Sequence, residues 1–170
     1  MSGGVTGRRR TAGRRGNALL EMAIVALPLF GLLFSIVDFG LAIFIRSTLQ
    51  HSVREGVRFA VTYGTTGGKC QDASIAEKVQ ESAMGFLAGS DGAAKIKVRY
   101  FAVDENNPGQ FTEFGAGAGN APGNIVEVAV EGYQYKWLAP IYWSADPLNI
   151  NVRSADRMEG LGAGGAPPCR

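Results

Sequence analysis

Gly16-Asn17-Ala18-Leu19-Leu20-Glu21-Met22-Ala23-Ile24-Val25-Ala26-Leu27-Pro28-Leu29-Phe30-Gly31-Leu32-Leu33-Phe34-Ser35-Ile36-Val37-Asp38 is the stretch that decides the fold. Between Glu21 and Asp38 the 16 residues Met22–Val37 carry no charge. Continued to Ile45, the segment 17–45 reads as one helix about 43 Å long, against about 30 Å for the hydrocarbon core of a bilayer. Its apolar residues fall on every side, so it asks for lipid or neighbouring helices all round. A helix is also the economical way to carry a chain through lipid, because it pairs its own backbone polar groups.

Working outward, residues 1–16 hold Arg8, Arg9, Arg10, Arg14 and Arg15 and no acid. This basic leader ahead of the span, with no arginine inside it, predicts a cytoplasmic N-terminus and a head on the far side. The run is longer than the apolar core of a signal peptide and no clean A-x-A site follows it, so cleavage beyond the helix is not expected. The net charge of +2 comes from the leader, since 12 basic and 13 acidic residues nearly cancel beyond Ile45. No basic patch outside the leader suggests a nucleic-acid partner.

Glu21 is an ionisable group at the start of an apolar helix, where burial costs of order 2.5–3.5 kcal/mol at mid-membrane and less near the interface. It either pairs with a cation or snorkels to the interface. Pro28 removes one backbone hydrogen bond and bends the axis, which membrane helices tolerate. Asp38 either faces water at the outer interface or faces a helix partner. Arg46, eight residues on, is too far for an ideal pair, so the solvated reading is the expectation.

Gly16-Asn17-Ala18-Leu19-Leu20-Glu21 with Pro28, then Asp38-Phe39-Gly40, Leu49-Gln50 and Arg54-Glu55-Gly56-Val57-Arg58, resembles the TadE-like family over about residues 16–60. Members are pseudopilins of the tight-adherence (Flp) pilus assembly system. Val126–Gln134 and Leu148–Met158 are similar, more loosely, to the family's tail. The resemblance implies cleavage by a prepilin peptidase after Gly16, leaving Asn17 as the new amino terminus. A flexible glycine in extended backbone would give such a peptidase access. Glu21 then becomes the fifth residue, and the resemblance implies that it pairs with the amine of a neighbouring subunit. Asn17 replaces the aromatic that follows the cut in type IVa pilins, so N-methylation is not implied. Implied partners are membrane lipid, prepilin peptidase, other pilin or pseudopilin subunits and pilus assembly platform proteins. The implied location is the bacterial inner membrane, single-pass, with a periplasmic head.

The head, 46–159, reads as a small α+β unit. Ile45, Leu49, Val53 and Val57 continue the first helix with one apolar face. Ser74–Leu87 reads as a second helix, ended by Gly89–Gly92. Lys95–Val103, Ile125–Gln134 and Leu148–Ala155 alternate as strands, with Val126, Val128 and Val130 inward on the second and Leu148, Ile150 and Val152 alternating with Asn149, Asn151 and Arg153 on the third. The expectation is a three-stranded antiparallel sheet backed by helices. Asn106–Asn124 reads as a long mobile loop, Trp137–Trp143 as an aromatic excursion near the surface or the membrane face, and 160–170 as a flexible Gly/Pro tail. Cys70 and Cys169 are either two thiols or one bridge from the tail to the loop before the second helix. An extracytoplasmic head favours the bridge.

No catalytic, cofactor or metal site is expected. A single histidine, His51, supports neither a triad nor a metal centre. Asp104–Gly109 opens like a calcium loop but has Gly115 where the bidentate glutamate belongs. Gly115–Gly119 lacks the Lys-Ser/Thr of a phosphate loop. Two function classes remain open: a pseudopilin that assembles through its helix, and a membrane-anchored periplasmic binding or sensor module.

Overall fold

The computed structural model describes residues 13–104, 107, 109–139, 144–161 and 165–170, and side chains from Ala18 onward. Most of the leader, residues 140–143 of the aromatic excursion, part of the Asp104–Gly109 turn and residues 162–164 lie outside that set. Three helices precede and enter the sheet: α1 (Gly13–Val61), α2 (Gln71–Ser82) and α3 (Gly89–Lys95). Four strands follow: β1 (Ile96–Val103), β2 (Phe111–Glu113), β3 (Ile125–Tyr135) and β4 (Leu148–Arg157). They form one antiparallel sheet in the order β2-β1-β3-β4. The fold is α+β, with a short fourth strand added to the three expected.

Helix α1 is 49 residues long and contains Pro28. At about 1.5 Å per residue it extends over about 73 Å. Its two halves have different surroundings. From Leu19 to Phe44 large apolar side chains stand exposed on all sides, and this stretch is long and apolar enough to cross a membrane. Overlapping its end, a buried stripe, Ala42, Ile45, Leu49, Val53, Val57 and Ala60, recurs at three- and four-residue steps and forms the spine of the head.

Helix α2 and the inner face of the sheet close over that stripe, bringing Ile75 and Val79 together with Tyr100, Val126, Val128 and Val130 in one core. Gly56 is where these layers meet. A Cβ built there would stand 2.5 Å from Val79 Cγ2 and 3.5 Å from Val128 Cγ1. The missing side chain lets α2 approach the α1 backbone. On the outer face Arg99 of β1 reaches Glu127 and Glu131 of β3 at 3.2 and 2.7 Å, tying the two central strands.

Three expectations for the head change. The second helix stops at Ser82, because Met84 (φ 52°) and Gly85 (φ 86°) turn into the left-handed region. Leu87 nevertheless reaches the core, and Gln80 Nε2 donates to the Leu87 and Gly89 carbonyls across the turn. Gly89, expected to end a helix, instead begins α3, with Asp91 in the first turn. The loop between β1 and β3 is not free throughout: Phe111–Glu113 pairs with Val103–Phe101 as β2. Three residues are too few to show an alternating pattern.

The tail also differs from a flexible segment at its far end. Gln71 N–H donates to the Cys169 carbonyl at 2.7 Å, and Asn120 Nδ2 donates to the Pro168 carbonyl at 2.9 Å. The Arg170 guanidinium lies 4.3 Å from the centre of the Tyr100 ring and donates from Nε to Asp72 Oδ2 at 3.0 Å. It also contacts the Gly115 and Ala118 carbonyls. Stacking and charge-assisted hydrogen bonds hold this end where composition alone suggested disorder.

Candidate functional site: the junction of helix and head

Asp38 opens the buried stripe of α1, four residues before Ala42, and is itself fully buried. The expectation that it faces water is corrected. Tyr135 Oη donates to Asp38 Oδ1 at 2.7 Å, Leu138 N–H donates to Oδ1 at 2.9 Å, and Ala139 N–H donates to Oδ2 at 2.7 Å. An ionised carboxylate only accepts, so three converging donors supply what a buried acid needs. The reason the sequence misleads is that the partners lie about a hundred residues away, and two of them are backbone amides without a side-chain signature.

Tyr135 reaches Asp38 because strand β3 changes phase. Val126, Val128 and Val130 point inward at even positions, then the register against β4 shifts between Val130 and Tyr133. Gly132 takes φ 70° there, and its N–H donates to Asn151 Oδ1 at 2.7 Å. The bulge moves the inward set to Tyr133 and Tyr135. Burial, followed by the Asp38 carboxylate, pushes the Tyr135 phenol up to about 12. Trp137 packs edge-on against both Phe39 and Tyr135, with ring centres 5.7 and 5.6 Å apart, and its Nε1 donates to the Asp146 carbonyl.

A second cluster sits at the opposite end of the head. Cys70 and Cys169 are joined by a disulfide, with Cα atoms 4.8 Å apart, at the start of α2. Beside it the fully buried Gln71 donates to the Ala60 carbonyl at 2.9 Å and accepts from Asn120 Nδ2 at 2.8 Å. Neither Gln71 nor Asn120 stands out in the sequence. Buried Tyr100 donates to Asp72 Oδ1, and burial with this carboxylate raises its phenol.

Of the residues singled out at the other end of α1, Glu21 and Pro28 are both exposed on the helix. Gly16 and Asn17 are already helical, within the first turns of α1, rather than in extended backbone. Access to the Gly16–Asn17 bond therefore requires the end of α1 to unwind. Helix ends fray readily, since their first amides lack partners. Pro28 lines an apolar hollow along α1 that Ala139 also borders, whereas Glu21 is not among its lining residues.

A bare apolar helix continues, through a buried acid, into the spine of an α+β head, an arrangement compatible with a single-pass membrane anchor. Residues 16–58 match the family model described as TadE-like protein. No curated protein and no solved structure matches the chain.

Proposed function

We propose that this chain is a pseudopilin-like subunit that takes part in assembly of a tight-adherence (Flp type IVb) pilus. The observation that carries the reading is the position of the TadE-like match, which covers Glu21, Pro28, Asp38 and the start of the head. The bare surface of α1 between Leu19 and Phe44 supports a single-pass anchor in the bacterial inner membrane, with the arginine-rich leader cytoplasmic and the head periplasmic. In this reading a prepilin peptidase cuts after Gly16, and Glu21, one helical turn from the new Asn17 amine, pairs with an amine of a neighbouring subunit. The chain acts by assembly with other pilin or pseudopilin subunits and platform proteins, not by catalysis.

The test is the intact mass of protein extracted from membranes of cells with and without an active prepilin peptidase. Loss of Met1–Gly16 only when the peptidase is present is the expected result. A chain that keeps those residues in both strains would overturn the processing step. Co-isolation with pilus components separates this reading from a membrane-anchored binding module, which would remain uncleaved and solitary.

A further inference from the structure

We propose that the loop leaving β3, at Trp137–Ala139, is a second membrane contact. It is seated in the headgroup layer on the head's side of the bilayer and held at that depth by Asp38. The proposal rests on the reading of α1 as a membrane span.

The depth follows from counting along the helix. A hydrocarbon core of about 30 Å takes about 20 helical residues, which is the distance from Ala18 to Asp38. Asp38 therefore marks the boundary when Ala18 marks the other. The amides of Leu138 and Ala139 bond directly to its carboxylate, so the loop cannot stand higher than that boundary. Ala139 also lines a shallow apolar hollow with Phe30, Phe34 and Ser35, on the membrane side of Asp38.

The side chains at this level suit the place. Leu138 is 61% exposed beside an α1 surface that is itself apolar and bare, where Phe39 is 53% exposed. Trp137 packs edge-on against both Phe39 and Tyr135, while Trp137 and Tyr135 turn their polar atoms to protein partners, the Asp146 carbonyl and Asp38. Amphipathic rings of this kind favour the membrane–water interface. An exposed leucine continuous with the spanning surface is covered by the same lipid that covers the helix. A loop so placed gives the head a second attachment point and fixes how it sits over the bilayer.

The test uses the full chain with Trp143→Phe, so that Trp137 is the sole tryptophan, at one copy per phospholipid nanodisc. The lipids carry bromine near the headgroup end or near the methyl end of their acyl chains. Trp137 emission is expected to fall about two-fold with the shallow bromines and less with the deep ones. A Phe30→Trp reporter in a Trp137→Phe/Trp143→Phe chain lies about 12 Å deeper and should respond most to the deep bromines. Quenching of the Phe30→Trp reporter without quenching of Trp137 overturns the loop contact and leaves the span intact. Quenching of neither overturns the span and the loop contact together. Shielding of Trp137 only when several copies share a disc assigns the surface to a second copy and overturns the lipid assignment. Adding Asp38→Ala should abolish the preference for shallow bromines, and an unchanged depth profile would overturn the role of Asp38.

Discussion

Tyr135 Oη and Asp38 Oδ1 lie 2.7 Å apart, joining the end of the third strand to the middle of a helix 97 residues earlier in the chain. With the Leu138 and Ala139 amides, this bond makes the acid the fastener between anchor and head. Removing the carboxylate leaves a phenol and two amides with no acceptor at a buried site. Asp38→Ala should therefore cost about 3 kcal/mol, while Tyr135→Phe, which removes one donor and leaves two, should cost about 1–2 kcal/mol. Denaturant unfolding of the detergent-solubilised protein gives both values. Amide exchange adds a local readout, since Leu138 and Ala139 should lose protection in Asp38→Ala.

The same pair predicts an alkaline limit. Tyr135 titrates at about 12 in the folded protein against an ordinary value of 10.0. Between these values the unfolded chain has lost the phenolic proton and the folded one keeps it. The folded state then binds more protons, so stability falls as pH rises through this window and is intact below it. Tyr63, Tyr100 and Tyr133 are raised as well, chiefly by burial, and contribute in the same direction. Phenolate absorbance should show these rings titrating late in the folded protein and near 10 once it is unfolded. Tyr135→Phe should flatten the alkaline decline without abolishing it.

How far the sequence carries the fold can be judged from this junction. The valines at 126, 128 and 130 and the four-residue steps of Ile45, Leu49, Val53 and Val57 state their roles by periodicity, and these side chains are buried where that periodicity puts them, while the apolar run stands exposed. Asp38 continues the same stripe one step earlier, so its face is legible, but a charge at a core position is read as solvated unless its partners are known. Those partners depend on the Gly132 bulge, a single residue that changes which side of β3 points inward. Gln71, Asn120 and Arg170 are similar cases. Each is an ordinary polar residue in the sequence whose place is fixed by contacts 48 to 98 positions away.

Gly56 lies within the matched segment, and its role is steric. With Val79 Cγ2 only 2.5 Å from where a Cβ would stand, Gly56→Ala forces α2 or the valine to move. Overpacking of this kind costs about 1–3 kcal/mol, more than the gain in helix propensity of about 1 kcal/mol returns. The variant should melt lower than the parent. Pairing it with Val79→Ala should recover part of the loss, because that change removes the methyl that clashes. A double-mutant cycle over the two positions checks this, and strict additivity would sink the steric account.

The disulfide between Cys70 and Cys169 closes a segment with 99 positions between its ends, and so constrains nearly the whole head in the unfolded state. Cys70→Ser/Cys169→Ser, or reduction of the parent, should lower stability by about 2–4 kcal/mol. The bridge is also one of several ties on the tail. Arg170 remains stacked on Tyr100 and bonded to Asp72, and the Cys169 carbonyl still accepts from the Gln71 amide. Reduction should therefore raise amide exchange first around Pro168–Arg170 and the start of α2, while leaving the Asp38 junction protected. Adding Arg170→Ala to the reduced protein should release the tail and expose the loop at Gly115–Ala118. Exchange at Gly115–Ala118 that is unchanged in the reduced Arg170→Ala protein would show that the tail does not hold that loop.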